Sequence, residues 1–194
     1  RELLSRGNKV IVVTSALDGY PQKEVQDEIL IYRVPAILLF DGRLPFTVSN
    51  KQVKKLLKHL QSQKIDRIIV QTRLYTLSAI GVSFAHKNKI PCLVIEHGTS
   101  YVGMSNPIVQ VGEIIYERLL LSYIRKKCKN FCAVSEEGAK WLKRFNIKTK
   151  AVLYNSVREE PVHLADNIRE KFKINKNIPI ITFIGRLIPE KGIV

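Results

Sequence analysis

Cysteine is scarce in this sequence, since 194 residues contain only Cys92, Cys128 and Cys132. An odd number of cysteines at these spacings is neither a disulfide framework nor a set of zinc ligands. Metal-ligand spacing of histidine, cysteine and carboxylate residues is also missing elsewhere in the chain. The sequence therefore predicts reduced thiols in a cytosolic protein and no bound metal.

Several motifs of nucleotide and acyl chemistry are missing as well. No Gly-x-Gly-x-x-Gly follows a strand-like run, and neither Gly-x-x-x-x-Gly-Lys-Ser/Thr nor Gly-x-Ser-x-Gly occurs. These motifs build the phosphate loops of dinucleotide-dependent oxidoreductases and P-loop hydrolases, and the nucleophile turn of α/β-hydrolases. The residues present therefore lack all of these sites.

Long apolar runs are absent too. The longest stretches, such as Val34 to Phe40, are far too short to span a bilayer. The sequence does not open on a cationic leader with a small-residue cleavage site, so export is not expected. We expect a cytoplasmic protein.

Acidic residues are in the minority, with 17 Asp and Glu against 32 Lys and Arg and a formal net charge of +15. Such a charge favours an anionic partner: a nucleotide, nucleic acid or the inner face of a membrane. The denser basic groups, Lys51–Lys58, Arg125–Lys129 and Arg169–Lys176, do not interleave with aromatic residues. Because base-stacking surfaces need such aromatics, we expect no nucleic-acid partner.

Short apolar runs alternate with longer helical patterns along the chain. Strands are predicted over residues 9–14, 30–33, 36–40, 67–71, 91–96, 130–134, 150–154 and 178–184, and helices over 49–63, 74–88, 108–127 and 136–145. Strands separated by helices indicate an α/β fold with a doubly wound, Rossmann-like parallel sheet. Ligands of such sheets bind beyond the carboxyl ends of the strands.

His97 is the best catalytic candidate at these strand ends. It closes the predicted strand over residues 91–96 and is followed by Gly98, where the backbone can turn sharply or approach a ligand. Imidazole can donate, accept or shuttle a proton near neutral pH. The alternative is a structural histidine bonded to a nearby backbone group.

A second candidate site follows the apolar run from Ile180 to Ile184. Gly185 ends this run, Arg186 and Lys191 stand in the loop beyond it, and Gly192 follows. Arginine binds phosphate as a planar fork and lysine as a mobile point charge, so the loop suits a phosphate or diphosphate. The alternative is an ordinary solvated loop.

Several segments together resemble family-4 glycosyltransferases, which are retaining enzymes of the GT-B fold. Residues Phe183 to Gly192 resemble the donor-site signature of that family. Segments in the same order as in the family are the opening Leu4–Val10, the strand ending in His-Gly at Pro91–Gly98, Ala133–Glu137, and Val152–Val157, in which Tyr154 and Ser156 replace the usual Pro and Gly.

The resemblance implies one half of a GT-B fold and specific roles for the candidate residues. Gly185, Arg186 and Lys191 would bind the diphosphate of a nucleotide-sugar donor, and the cations would stabilise the charge that grows on the leaving nucleoside diphosphate. His97 would lie in the cleft near the donor sugar and the acceptor. The nucleotide-sugar would be a substrate, with no cofactor and no metal requirement.

Two features of the family are missing here: the glycine-rich loop after its first strand, and the pair of glutamates separated by seven residues that contacts the donor. We therefore expect a chain truncated at both ends, inactive on its own. Residues 1–156 would form the acceptor-side Rossmann-like domain and residues 157–177 a linker. Residues 178–194 would form the first strand and phosphate loop of the donor domain.

The function expected on this basis is that of a retaining glycosyltransferase of the hexosyltransferase type. It would transfer sugar to a glycan or lipid-linked acceptor in surface polysaccharide biosynthesis. The basic helices over residues 51–64 and 108–129 predict peripheral contact with an anionic membrane at its cytoplasmic face, or else pack on the sheet with solvated lysines. The alternative function is a non-catalytic Rossmann-like module that binds a nucleotide or another anion.

Overall fold

A computed structural model describes residues 2–40, 44–103, 106–156 and 168–185. The chain divides into two compact units, Arg1–Tyr154 and Asn155–Val194. The first unit contains the strands and most of the helices of the described residues. The second unit contains one short helix, α6 (Ile168–Lys171), among its described residues.

The first sheet of unit one has the strand order β1-β3-β2, with β1 (Ile11–Ser15), β2 (Lys23–Gln26) and β3 (Ile29–Val34). β1 runs parallel to β3 and β2 antiparallel to it. The loop between β2 and β3 consists of Asp27 and Glu28, whose φ angles are 48° and 65°. A two-residue hairpin needs this left-handed pair because it matches the twist of the strands.

A separate hairpin follows. β4 (Ala36–Leu39) and β5 (Leu44–Thr47) pair antiparallel, with Ala36 opposite Thr47 and Leu39 opposite Leu44. Neither hairpin was predicted from the sequence. The polar segment Lys23–Gln26 has no apolar period, and Pro45 within β5 argues against a strand unless the strand lies at a sheet edge.

The third sheet is fully parallel and carries the site described below. Its order is β6-β7-β8, with β6 (Ile68–Gln71), β7 (Cys92–Glu96) and β8 (Phe131–Ala133). Parallel neighbours need a long crossover, and helices provide it here. α3 (Thr76–Lys87) connects β6 to β7, and α4 (Pro107–Lys127) connects β7 to β8.

The remaining helices of unit one are α1 (Glu2–Ser5), α2 (Lys51–Gln61) and α5 (Glu136–Lys143). Short polar side chains cap three of the helices, because each accepts a hydrogen bond from an otherwise unpaired amide of the first turn. The Asn50 side chain accepts from the Val53 amide, that of Asn106 from Ile108, and that of Ser135 from Gly138. Of the helices in the described ranges, none is long and apolar enough to cross a membrane.

The hydrophobic core lies between the parallel sheet and helices α3, α4 and α5. Its least exposed side chains are Val82, Val94, Ile124, Phe131 and Leu142, all at 1% or less. Full burial of one such side chain contributes about 1.5–3 kcal/mol. The three cysteines are free thiols, as the sequence predicted.

The α/β fold with a parallel sheet is confirmed, and three details of the prediction are wrong. The strands form separate sheets rather than one, and two of these sheets contain antiparallel pairs. The strand expected over residues 150–154 is reduced to a single bridge between Ala133 and Val152. Residues 178–185 form no strand, since no neighbouring strand pairs with them in the described part of unit two and a strand needs such a partner for its amides and carbonyls.

Candidate active site at the carboxyl edge of the parallel sheet

The register of the parallel sheet brings its strand-end loops together. Gln71 at the end of β6 is opposite Ile95, and Glu96 at the end of β7 is opposite Ala133 at the end of β8. The Thr72 amide donates to the Ile95 carbonyl at 2.8 Å, which continues this pairing beyond β6. The loops after β6, β7 and β8 therefore start side by side, at the edge where α/β sheets bind ligands.

His97 lies on this edge with an exposed side chain. Its Nε2 atom is 2.7 Å from Oε1 of Gln71. Because an amide oxygen only accepts hydrogen bonds, Nε2 donates in this arrangement, and in the neutral form of the ring Nδ1 carries the lone pair. A neutral imidazole held in this way can accept a proton or a hydrogen bond at Nδ1.

A buried ionic network includes Glu96, the residue directly before the histidine. The Arg73 guanidinium is 2.5 Å from Oε1 of Glu96 and 2.7 Å from Oε1 of Glu117, and it also donates to the Ser100 carbonyl at 3.3 Å. The three charged side chains are 0–3% exposed. Removing one partner from a buried ion pair typically costs 3–5 kcal/mol, because the other charge is left uncompensated.

The same network fixes the turn that carries His97. Oε1 of Glu96 accepts a hydrogen bond from the Gly98 amide at 2.6 Å. A Cβ atom at position 98 would lie 3.0 Å from this oxygen and 3.2 Å from Nη1 of Arg73. Glycine is therefore needed because the ion pair packs against the backbone where a side chain would begin.

Burial also changes the acidity of two carboxyls in this region. Desolvation raises the pKa of Glu117 to about 7, although the positive charge of Arg73 opposes the shift. Desolvation likewise raises the pKa of Glu113, which accepts from the Val102 amide. Oε2 of Glu117 has no hydrogen-bond partner among the described residues, and an unsatisfied buried oxygen makes the charged form still more costly.

Aromatic side chains close the other side of the network. The Arg73 guanidinium lies 5.6 Å from the Trp141 ring, within the range of a cation–π contact. Edge-to-face contacts join Trp141 to Tyr101 at 4.8 Å and to Phe145 at 5.4 Å between ring centroids. The loop after β7 is thereby held against α5.

The start of α5 approaches the His97 turn closely. A Cβ atom on Gly138 would lie 3.2 Å from Cβ of Ala133 and 3.6 Å from the Gly98 carbonyl oxygen. The amide of Gly138 is itself bound by the Ser135 hydroxyl at 3.1 Å. Side chains and backbone from β6, β7, α4 and α5 thus converge on one turn, with an imidazole presented to solvent.

The comparison with protein families decides what kind of protein carries this edge. The family model for Glycosyltransferase Family 4 matches residues 1–160, which include every residue of the site described above. The chain belongs to glycosyltransferase family 4. No curated protein and no solved structure matched the sequence.

Membership of family 4 makes this α/β unit part of a sugar-transferring enzyme. The match ends at residue 160, so the predicted donor loop lies beyond it. Gly185 is described and exposed, and a Cβ atom there would lie 2.9 Å from the Phe183 ring. Arg186 and Lys191 lie outside the described residues, and their role in this glycosyltransferase stays a prediction.

The structure places His97 at the edge of the sheet that the sequence predicted, and its catalytic role stays a prediction; the ionic network was not predicted. The family-4 chain did contain a signal. Glu113 and Glu117 are four residues apart and share one face of a mostly apolar helix. Two carboxylates on such a face indicate a buried cation as their partner, and Arg73 follows the largely apolar strand β6. Metal-binding groups of histidine, cysteine and carboxylate residues are not found in the described ranges.

Proposed function

We propose that this glycosyltransferase transfers a hexose from a nucleotide-sugar donor to a glycan or lipid-linked acceptor, with retention of anomeric configuration. The observation that carries the proposal is the position of His97, which is exposed at the carboxyl edge, lies within hydrogen-bond distance of Gln71 and directly follows Glu96 of the buried ionic network. An exposed imidazole that is held by buried, hydrogen-bonded neighbours can be oriented toward a substrate.

His97 is proposed to contact the donor sugar and the incoming acceptor. With Nε2 donating to Gln71, Nδ1 can accept a hydrogen bond from a sugar or acceptor hydroxyl. The Gly98 backbone next to it packs against the ion pair of Glu96 and Arg73, which fixes the turn that carries the imidazole. Arg73 and Glu96, which are both buried, would position the imidazole by holding the turn that carries it.

The donor diphosphate is proposed to bind at Arg186 and Lys191, beside Gly185. The support is the resemblance of the loop to the donor signature and the chemistry of the two cations, which can stabilise charge on the leaving nucleoside diphosphate. On this proposal the enzyme needs no metal and no cofactor. Because the sequence contains no glutamate pair separated by seven residues, residues 1–194 are proposed to lack transfer activity on their own.

The acceptor is proposed to be an intermediate of surface polysaccharide synthesis at the cytoplasmic face of a membrane. The support is the net charge of +15 and the lysine-rich helix α2, which contains no acidic residue. Charge of this sign attracts a protein to anionic lipids at that face.

Replacing the loop cations tests the donor proposal. Arg186→Ala and Lys191→Ala in the intact protein should each lower kcat/KM for the donor by on the order of a hundredfold, because transition-state charge loses a fixed partner. The measurement is release of nucleoside diphosphate from a panel of nucleotide-sugars. Lys176→Ala removes an exposed cation of the same unit and should leave the donor kinetics unchanged; equal kinetics for all of these variants would contradict the proposal.

A further inference from the structure

Helix α4 buries its two glutamates and exposes much of its apolar surface. Its buried residues are Glu113, Glu117, Leu121 and Ile124. Glu117 is buried where it pairs with buried Arg73. Glu113 accepts hydrogen bonds from the Val102 amide and the Gln110 side chain. Among the described residues, the opposite face of α4 makes no contact with the ionic network, and its side chains are largely apolar.

This opposite face forms the α4 stripe, a row of exposed apolar side chains spaced three or four residues apart: Ile108, Val111, Ile115, Leu119 and Tyr123. Ile108 is 82% exposed and Leu119 is 67% exposed. The row is about 22 Å long, since fifteen residues separate its ends at 1.5 Å per residue. An apolar surface of this kind marks an interaction site rather than a requirement of folding.

A groove lies beside the stripe, between α2, α3 and α4. This lysine groove has a volume of about 790 Å³, with apolar walls that include Leu57, Phe84 and Leu120. Lys54, Lys58 and Lys87 also line it, and no carboxylate does so among the described residues. Tyr123 belongs to both the groove and the α4 stripe, so the two surfaces are continuous.

The charges around this surface identify what it binds. The exposed charged side chains of α4 are cations, including Arg118 and Lys126, because both of its glutamates are buried. The Lys127 ammonium lies 4.9 Å over the Tyr123 ring. A second copy of the chain would place these cations near the same cations of its partner, which is unfavourable. An anionic lipid surface instead supplies both opposite charge and an apolar interior.

We propose that the α4 stripe and the lysine groove form one docking surface for an anionic phospholipid membrane. The stripe enters the boundary between headgroups and acyl chains, and Lys54, Lys58 and Lys87 bind headgroup phosphates at the groove. This surface would make the membrane contact of the proposed function. Only the biological purpose of the contact rests on that function. Vesicle binding needs no sugar transfer, so either claim can fail while the other stands.

The test measures co-sedimentation of the intact protein with vesicles of phosphatidylcholine alone or with one quarter phosphatidylglycerol. We expect binding to the anionic vesicles at low salt, and loss of binding at high salt or without phosphatidylglycerol. Leu119→Ser should weaken binding roughly tenfold, because an inserted apolar side chain is lost. Val25→Ser is the matched control, since Val25 is 69% exposed in β2, and it should bind as the wild type does.

A second pair of variants separates local charge from net charge. Replacing Lys54, Lys58 and Lys87 together by Ala should weaken binding on the order of a hundredfold at low salt. The same replacement of Lys143, Lys148 and Lys150, which are exposed elsewhere, removes equal charge and should have a much smaller effect. Equal loss in both triple variants would overturn the proposal, as would wild-type binding by Leu119→Ser. A wild-type dimer that Leu119→Ser dissociates would assign the stripe to a second copy and overturn it as well.

Discussion

At the scale of single residues, the turn after β7 depends on the space that Gly98 leaves. A Cβ atom there would contact Oε1 of Glu96 and Nη1 of Arg73 at 3.0–3.2 Å. Both atoms belong to a buried ion pair whose members are nearly inaccessible, so they cannot move aside without losing their partner. The His-Gly sequence at the end of this strand thus places an exposed imidazole next to a glycine that lets the ion pair pack closely against the backbone.

Gly98→Ala should therefore destabilise the protein. We expect the free energy of unfolding to fall by about 1–3 kcal/mol, the usual cost of overpacking a tight site. Urea unfolding measures it. The control is Gly112→Ala in α4, where a Cβ atom would have no neighbour within 4 Å; alanine there should stabilise the helix by about 0.5–1 kcal/mol. Effects of the same sign at both positions would rule out the packing explanation.

At the scale of the elements, helices and strands were predicted correctly where one face is buried, because apolar residues then recur at a regular spacing in the sequence. Predicted α2, α3, α4 and α5 and the parallel strands β6, β7 and β8 are confirmed, with ends that shift by a few residues. The antiparallel strands β2 and β5 were missed, because an exposed polar strand and a strand containing proline show no such period. Nor could a local pattern show that Arg73 pairs with Glu117, since 44 residues separate them.

The pairing of Glu117 on α4 with Arg73, in the loop after β6, should make stability depend on pH. The pKa of Glu117 is about 7 in the folded chain against an ordinary value of 4.5, so the folded state holds a proton that the unfolded state releases. This contribution to stability is fully present below pH 4.5 and is lost as the pH rises to about 7. Its size is on the order of 3 kcal/mol, at 1.36 kcal/mol for each unit of pKa.

Glu117→Gln should remove most of the pH-dependent loss of stability, because glutamine does not titrate, and its side-chain oxygen can still accept a hydrogen bond from Arg73. We expect its free energy of unfolding to fall less steeply between pH 5 and 7 than that of the wild type, as measured by urea unfolding at several pH values. The control is Glu137→Gln, an exposed position of α5, which should follow the wild-type curve. Parallel curves for Glu117→Gln and the wild type would mean that this carboxyl does not titrate in the folded protein.

At the scale of the whole molecule, the family match covers the residues of the candidate site. The family match over residues 1–160 shows a glycosyltransferase, and within that span the strand-end loops after β6, β7 and β8 start side by side with His97 exposed. The division into acceptor domain, linker and donor segment stays a prediction, as does donor binding by Arg186 and Lys191. Those two residues lie outside both the family match and the described residues, so chemistry and resemblance support them rather than contacts.

Turnover of the His97→Ala variant tests most directly whether this edge is the active site. With the intact protein and its preferred nucleotide-sugar, kcat should fall by about 10²–10⁴-fold. The free energy of unfolding should change by less than about 0.5 kcal/mol, because the side chain is exposed. His86→Ala, at an exposed position of α3, should leave both quantities unchanged. Wild-type turnover of His97→Ala, or a loss of activity matched by unfolding, would contradict the assignment.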